Sequence, residues 1–319
     1  MPATEPNLRV TIAGLELQNP LMVASGTFGW GEVYQKVAGF DNDTLGAIVL
    51  KGTTLEPRRG NPVPRLVETS GGAGIINSIG LENPGVDAVI RDYLPQLKGC
   101  KAKVIANVAG SAVKDYAAVV SRFDKADRID AMEINISCPN VKEGGALFGA
   151  SVEMADEVIR AVREATRKPL IAKLSPNVTS IADIARACVD AGADALSLIN
   201  TVQAMEIDVL SRRPILGNNM GGLSGPAIKP IALLKVHEVY QAIRSADVPI
   251  IGIGGIACAR DAMQFILAGA QAVQVGTALF ANPMVCTEIL DGLKDLLRQM
   301  GETDINDLVG TLRLNRGET

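Results

Sequence analysis

The 319-residue chain contains one histidine, His237, set in a stretch from Ile231 to Ile243 that has the period of an amphipathic helix. A lone histidine placed there leaves no Ser-His-Asp or Cys-His nucleophile system and no multi-histidine metal site to consider. Cysteine is scarce too. Cys100, Cys138, Cys188, Cys258 and Cys286 form an odd set without CxxC spacing, which fits neither a disulfide framework nor a zinc or iron–sulfur site. Neither sign of charge is in large excess, 31 Lys and Arg against 35 Asp and Glu giving a formal net charge of −4. A surface adapted to nucleic acid needs clustered Lys and Arg, so that class is excluded while local binding of small anions is not. No apolar run approaches the roughly 20 residues that cross a bilayer, and the N-terminus shows no basic segment followed by an apolar stretch. A cytoplasmic protein without a membrane partner is therefore expected.

With 47% apolar and 21% charged residues the composition is that of an ordinary globular protein long enough to bury a large core. Apolar, β-branched runs recur at Leu21 to Ala24, Ala47 to Leu50, Val104 to Asn107, Ala131 to Ile136, Leu170 to Leu174, Ala195 to Ile199, Pro249 to Ile253 and Ala272 to Val275. Stretches of helical period lie between most of them, such as Val152 to Ala165, Ile181 to Ala191 and Ala259 to Ala268. Such alternation is the signature of a parallel sheet, and eight units suggest a closed (β/α)8 TIM barrel, with an open doubly wound sheet as the alternative. Residues 8–18 alternate around Ala13-Gly14 and read as an N-terminal β-hairpin plugging the barrel floor. Two irregular Gly/Pro/Asn-rich segments, Thr54 to Pro84 and Thr201 to Pro230, are too long for ordinary connections and read as active-site loop insertions. With no linker or internal repeat, residues 1–319 are expected to form one barrel domain.

Barrels of this type build their sites at the C-terminal ends of the strands. Those ends are polar here: Ser25-Gly26, Lys51-Gly52-Thr53-Thr54, Asn107, Asn135-Ile136-Ser137-Cys138-Pro139-Asn140, Lys173, Asn200-Thr201, Gly254-Gly255 and Gly276-Thr277. Loops after the seventh and eighth strands commonly hold a phosphate, because glycine lets backbone N–H groups approach its oxygens. Gly252 to Ala257 also matches the dinucleotide fingerprint GxGxxG/A, but it falls on the seventh strand and Ala270 to Val275 offers no acidic residue for a ribose. A mononucleotide phosphate is the better ligand. Cys138, at the rim, suits a general base acting on a carbon acid, while one lysine holds an anionic substrate and another stabilises negative charge on a reduced cofactor ring.

The segments Lys51-Gly52-Thr53-Thr54, Asn77-Ser78-Ile79-Gly80-Leu81, Asn135 to Asn140, Gly221-Gly222-Leu223-Ser224-Gly225-Pro226 and Gly254-Gly255 closely resemble the class 1 dihydroorotate dehydrogenases, in order and over essentially the whole chain. The resemblance implies oxidation of dihydroorotate to orotate with FMN as cofactor, in pyrimidine biosynthesis. It implies that Lys51, Asn77, Ser78, Ile79, Gly80, Leu81, Asn135, Asn200 and Thr201 contact the substrate. It implies that Ser25, Lys51, Gly52, Asn107, Asn135, Lys173, Ile199, Gly225, Gly254, Gly255, Gly276 and Thr277 contact FMN. Cys138 resembles the family's general base at C5, with C6 giving its hydride to flavin N5, and Lys173 would favour the anionic reduced flavin. The continuation from Asn140 to Gly149 resembles the NAD-linked class 1B subunits more than the fumarate-linked class 1A enzymes. Quinone-linked class 2 enzymes carry serine in place of Cys138 and an N-terminal membrane-associating extension. Class 1B implies an iron–sulfur flavoprotein partner with FAD and a 2Fe-2S cluster, and a homodimeric core within a heterotetramer. Ser70-Gly71-Gly72-Ala73-Gly74-Ile75-Ile76 departs from the family pattern in its glycine content. Alternatives are a related flavin enzyme of uracil-like bases, which shares the barrel and the NxSCP block, and a non-catalytic flavin-binding protein of the same fold.

Overall fold

Alternation of buried and exposed residues around Ala13-Gly14 produces a two-residue hairpin between β1 (Val10–Ile12) and β2 (Leu15–Leu17) in the computed structural model, which describes residues 5–136 and 151–315. Both turn residues lie at positive φ, the geometry that matches the twist of short hairpins. Leu8, Val10, Ile12 and Leu17 are buried, and the turn shares a shallow cleft with Asp194, Pro249 and Gln271, each just ahead of a barrel strand. The hairpin therefore covers the N-terminal floor, as expected.

Chain order continues with β3 (Leu21–Val23), β4 (Ala47–Val49), β5 (Leu66–Glu68), β6 (Ile75–Asn77), β7 (Lys103–Val108), β8 (Ala131–Asn135), β9 (Leu170–Lys173), β10 (Ala195–Leu198), β11 (Val202–Ala204), β12 (Ile207–Asp208), β13 (Arg213–Pro214), β14 (Gly221–Ser224), β15 (Ile250–Ile253) and β16 (Ala272–Val275). Strands β3, β4, β7, β8, β9, β10, β15 and β16 close into a parallel barrel, β16 pairing back onto β3. The eight apolar runs of the sequence are these eight strands. Covered inside by barrel side chains and outside by helices, they read as continuous apolar runs rather than alternating ones.

The helices are α1 (Val86–Ala88), α2 (Val113–Asp124), α3 (Val152–Ala165), α4 (Ile181–Asp190), α5 (Lys229–Ile243), α6 (Ala259–Ala268), α7 (Ala278–Ala281) and α8 (Val285–Met300). Helix α3 starts where Ser151 Oγ accepts from the Met154 N–H, and α4 where Ser180 Oγ accepts from the Asp183 N–H. Ala155, Val158, Ile159 and Val162 of α3 face inward at helical spacing and are fully buried. Val158, Ile159 and Val162 each contribute about 1.5–3 kcal/mol by leaving water. Helix α6 stops at Gly269, at φ +120°, where a Cβ would meet the Tyr240 ring at 2.2 Å. His237 lies half-buried on α5, in the helical layer rather than on the rim.

The two long segments differ from the irregular loops expected. They build a four-stranded antiparallel sheet in the order β11-β14-β6-β5, so the insertion after β4 pairs directly with the one after β10. The glycine-rich stretch from Ser70 to Gly74 is the turn of the β5–β6 hairpin: Gly71 and Gly72 take φ of +93° and +70°, and the Gly72 N–H donates to the Thr69 carbonyl. The departure from the family pattern thus supplies the left-handed residues of a reversal.

Candidate active site

The barrel interior under the rim is organised around Glu133, in the middle of β8 and fully buried. Oε1 accepts from Asn107 Nδ2 at 2.6 Å and lies 3.3 Å from Lys173 Nζ. Oε2 accepts from Ser197 Oγ at 2.9 Å and from Gln274 Nε2 at 2.8 Å. Register explains the convergence. Asn107 stands opposite Glu133 across β7 and β8, Lys173 lies two residues beyond Glu133's partner Ile171, and Ser197 pairs with Lys173. An ionised carboxylate accepts only, and its two oxygens serve these donors together. Removing one partner of a buried ion pair costs about 3–5 kcal/mol, because the other charge is left uncompensated. Glu133, Ser197 and Gln274 are absent from the residues singled out in the sequence. Their signal was present as a polar residue inside an otherwise apolar run.

Above this layer the rim amides meet. Asn200 Nδ2 donates to Asn135 Oδ1 at 3.1 Å, Asn200 Oδ1 accepts from the Thr201 N–H at 2.8 Å, and the Tyr116 hydroxyl donates to the Asn135 carbonyl at 3.0 Å. Thr201 packs against Gly222, where a Cβ would collide with its side chain, and Asn77 Nδ2 reaches the Gly222 carbonyl at 3.3 Å. Gly52 is buried, and a Cβ there would lie 3.1 Å from Asn107 Oδ1 and 3.3 Å from the Leu81 side chain. Gly80 and Leu81 turn at φ +77° and +56°, while Asn61 Nδ2 and the Asn61 N–H bind the Ser78 and Ile79 carbonyls. The Lys51 ammonium sits 5.4 Å from the Trp30 ring centroid. Burial holds it below the ordinary lysine value; Glu82 and Glu32 act against that shift and Arg65 adds to it.

The glycines form the opposite sector. Gly225, Gly254 and Gly255 take φ of +98°, +131° and +72°. A Cβ on Gly255 would sit 2.8 Å from the Gly225 carbonyl oxygen and 2.8 Å from Lys229 Cβ. Gly254 lies against Ile199, Gly225 against Thr277, and Gly276 against Ala24, which Ser25 follows. Thr277 Oγ1 donates to Ser224 Oγ at 2.9 Å, tying β14 to the loop after β16. The segment that matched GxGxxG/A is thus one wall of a barrel rim, not the turn of a dinucleotide-binding unit.

Cys138 and its neighbours Ser137, Pro139 and Asn140 lie outside the described residues. Among the described thiols, burial pushes Cys188 and Cys286 up to about 12 and raises Cys100 as well. These are packed thiols without base character near neutrality. Among the described residues no group of three or more His, Cys, Asp or Glu is placed to hold a metal ion.

A flavin mononucleotide fits the residues present. Asn107 Oδ1 is buried without a hydrogen-bond partner beside Gly52, ready to accept from a ring N–H. Gly225, Gly254 and Gly255 pack so closely against Gly74, Ala232 and Lys229 that a Cβ on any of them would press on the protein's own atoms, so this wall is backbone. Ser78 Oγ, buried and without a partner on the other insertion, is a second polar atom of the kind a bound ring satisfies.

Comparison with known proteins agrees with this geometry. The family model described as dihydroorotate dehydrogenase matches residues 7–297. The chain is 54% identical to the dihydroorotate dehydrogenase B (NAD(+)) catalytic subunit of Desulforamulus reducens, over 97% of this chain and 99% of that protein. It is also 54% identical to the protein of the same name from Desulforudis audaxviator, over 97% and 98%. Its fold superposes on the crystal structure of a DHODH in complex with ferulenol from Eimeria tenella with a TM-score of 0.80 at 26% identity, over 98% of this chain and 90% of that one. The rim, its inner carboxylate and these likenesses agree: the chain belongs to the dihydroorotate dehydrogenase family, and within it resembles the NAD(+)-linked B catalytic subunits along its length.

Proposed function

We propose that this chain oxidises (S)-dihydroorotate to orotate as the FMN-binding catalytic subunit of an NAD+-linked enzyme. The observation that carries the reading is that Lys51, Asn135 and Asn200 lie at the C-terminal rim of the barrel, with Asn107 and Lys173 on the layer just beneath it, in a chain 54% identical to a protein named for this reaction. Lys51 supplies the cation for the substrate's 6-carboxylate. Asn77, Asn135 and Asn200, with Thr201 and the Ser78–Leu81 backbone, present the amide and hydroxyl groups that suit a ring carrying N–H and C=O on one edge. Cys138, two positions beyond Ile136 in the sequence, takes the proton from C5 as the C5–C6 double bond forms. FMN, when bound, would supply the two-electron acceptor for the hydride that leaves C6. Gly225, Gly254, Gly255, Gly276 and Thr277 hold its phosphate, Ser25, Gly52 and Ile199 border it, and Asn107 and Lys173 address its ring.

Electrons must then leave the chain. The relatives are named catalytic subunits of an NAD(+) enzyme, and we assign the remaining transfer to an iron–sulfur flavoprotein partner carrying FAD and a 2Fe-2S cluster, around a homodimer of this chain. We place this assembly in the cytoplasm; among the described residues no helix is long and apolar enough to cross a membrane.

Substrate choice tests the reading against enzymes of uracil-like bases. With an artificial dye as acceptor, dihydroorotate is expected to turn over while dihydrouracil, which lacks the 6-carboxylate, is slower by about 10- to 100-fold, since losing a charge-assisted contact costs about 1.5–3 kcal/mol. Equal rates would assign the rim to the uracil-type reaction.

A further inference from the structure

We propose that Glu133 is a positioning residue for the cofactor: from inside the barrel it orients the Lys173 ammonium and the Asn107 and Gln274 amides, and its negative charge lowers the cofactor's reduction potential. The inference rests on the flavin reading above and extends it to a residue beneath the rim.

Orientation follows from donor and acceptor chemistry. Asn107 and Gln274 each turn their NH2 group to Glu133, at 2.6 and 2.8 Å. A carboxylate accepts and does not donate, so neither amide can flip without placing its oxygen against another oxygen. Asn107 Oδ1 and Gln274 Oε1 must therefore face away from Glu133, and both are buried without a partner. Asn107 Oδ1 faces the backbone at Gly52, on the rim where the cofactor ring is addressed. Glu133 thus decides that this position offers an acceptor and not a donor.

Charge follows from burial. Lys173 is 6% exposed and Glu133 fully buried, with 3.3 Å between Nζ and Oε1. In so dry a setting the two charges act on a nearby ring as a pair, and the carboxylate offsets much of the lysine's pull on arriving negative charge. Glu133 and Lys173 must then move the potential in opposite directions. Loss of rigidity or of packing would not produce such opposition.

The test measures flavin content, circular dichroism and flavin midpoint potential in the parent, Glu133→Gln, Glu133→Asp, Lys173→Gln and the double variant Glu133→Gln/Lys173→Gln. Lys173→Gln is expected to lower the potential. Glu133→Gln should raise it by about 30 mV or more, the equivalent of a tenfold change in the ratio of reduced to oxidised forms at equilibrium. Glu133→Asp, which keeps the charge, should stay nearer the parent than Glu133→Gln does. If Glu133→Gln does not hold flavin or does not fold, the double variant decides, since it leaves no buried charge uncompensated. Its potential should lie above that of Lys173→Gln alone. A potential in Glu133→Gln equal to or below the parent's, or a double variant indistinguishable from Lys173→Gln, overturns the proposal. A parent protein without bound flavin would instead refute the reading beneath it.

Discussion

Replacing Cys138 with alanine is expected to leave FMN bound while slowing dihydroorotate-dependent flavin reduction by about 10²–10⁴-fold, the usual contribution of a positioned general base. Apart from Asn135, the residues assigned to FMN, among them Gly254, Gly255, Asn107 and Lys173, stand on other strands and loops, so binding and proton removal should separate. Serine at the same position should retain a small activity that improves as pH rises, because a hydroxyl is the weaker base and needs deprotonation to compete. Cys188 and Cys286 offer no substitute, being buried and pushed up to about 12. Stopped-flow bleaching of the flavin band across pH 6 to about 10 reads both outcomes. Near-parental reduction by the alanine variant at neutral pH would remove Cys138 from the mechanism.

The second large effect concerns the electron acceptor. The isolated chain should reduce an artificial dye with dihydroorotate and form no appreciable NADH, with NADH formation restored when an iron–sulfur flavoprotein partner is added. The cysteines are far apart in sequence, and the only GxGxxG/A match is a wall of the rim beside Gly225 and Lys229. Among the described residues no group of three or more His, Cys, Asp or Glu is placed to hold a metal ion. Efficient NADH formation by the lone chain would refute the two-subunit reading, and efficient turnover with fumarate would move it to the class 1A chemistry.

Much of this architecture is legible from apolar periodicity. A parallel strand covered on both sides must be apolar almost throughout, so each of the eight runs identified itself, as did α3 and α6 to the residue. Strand ends were legible for the complementary reason: Asn107, Lys173 and Asn200 end apolar runs with groups a core does not tolerate unpaired. The sheet joining the two insertions was not legible. Its strands are three or four residues long, and Asn77 finds Gly222 across 145 positions, a register that no local pattern encodes. Glu133 escaped because a single acid in an apolar strand carries no sign of its partners. Pairing of neighbouring strands brings Asn107, Lys173 and Ser197 to its two oxygens, and closure of the barrel brings Gln274. Trp30 under Lys51 is a similar case, a contact made by a loop after β3 with the end of β4.

The central claim is that this chain binds FMN and passes to it the electrons of dihydroorotate, and one anaerobic titration tests it most directly. The purified protein should show a flavin absorption band that bleaches when dihydroorotate is added, with orotate formed in equal amount to the flavin reduced. A protein that carries no flavin, or a flavin band that dihydroorotate leaves unchanged, would contradict the account.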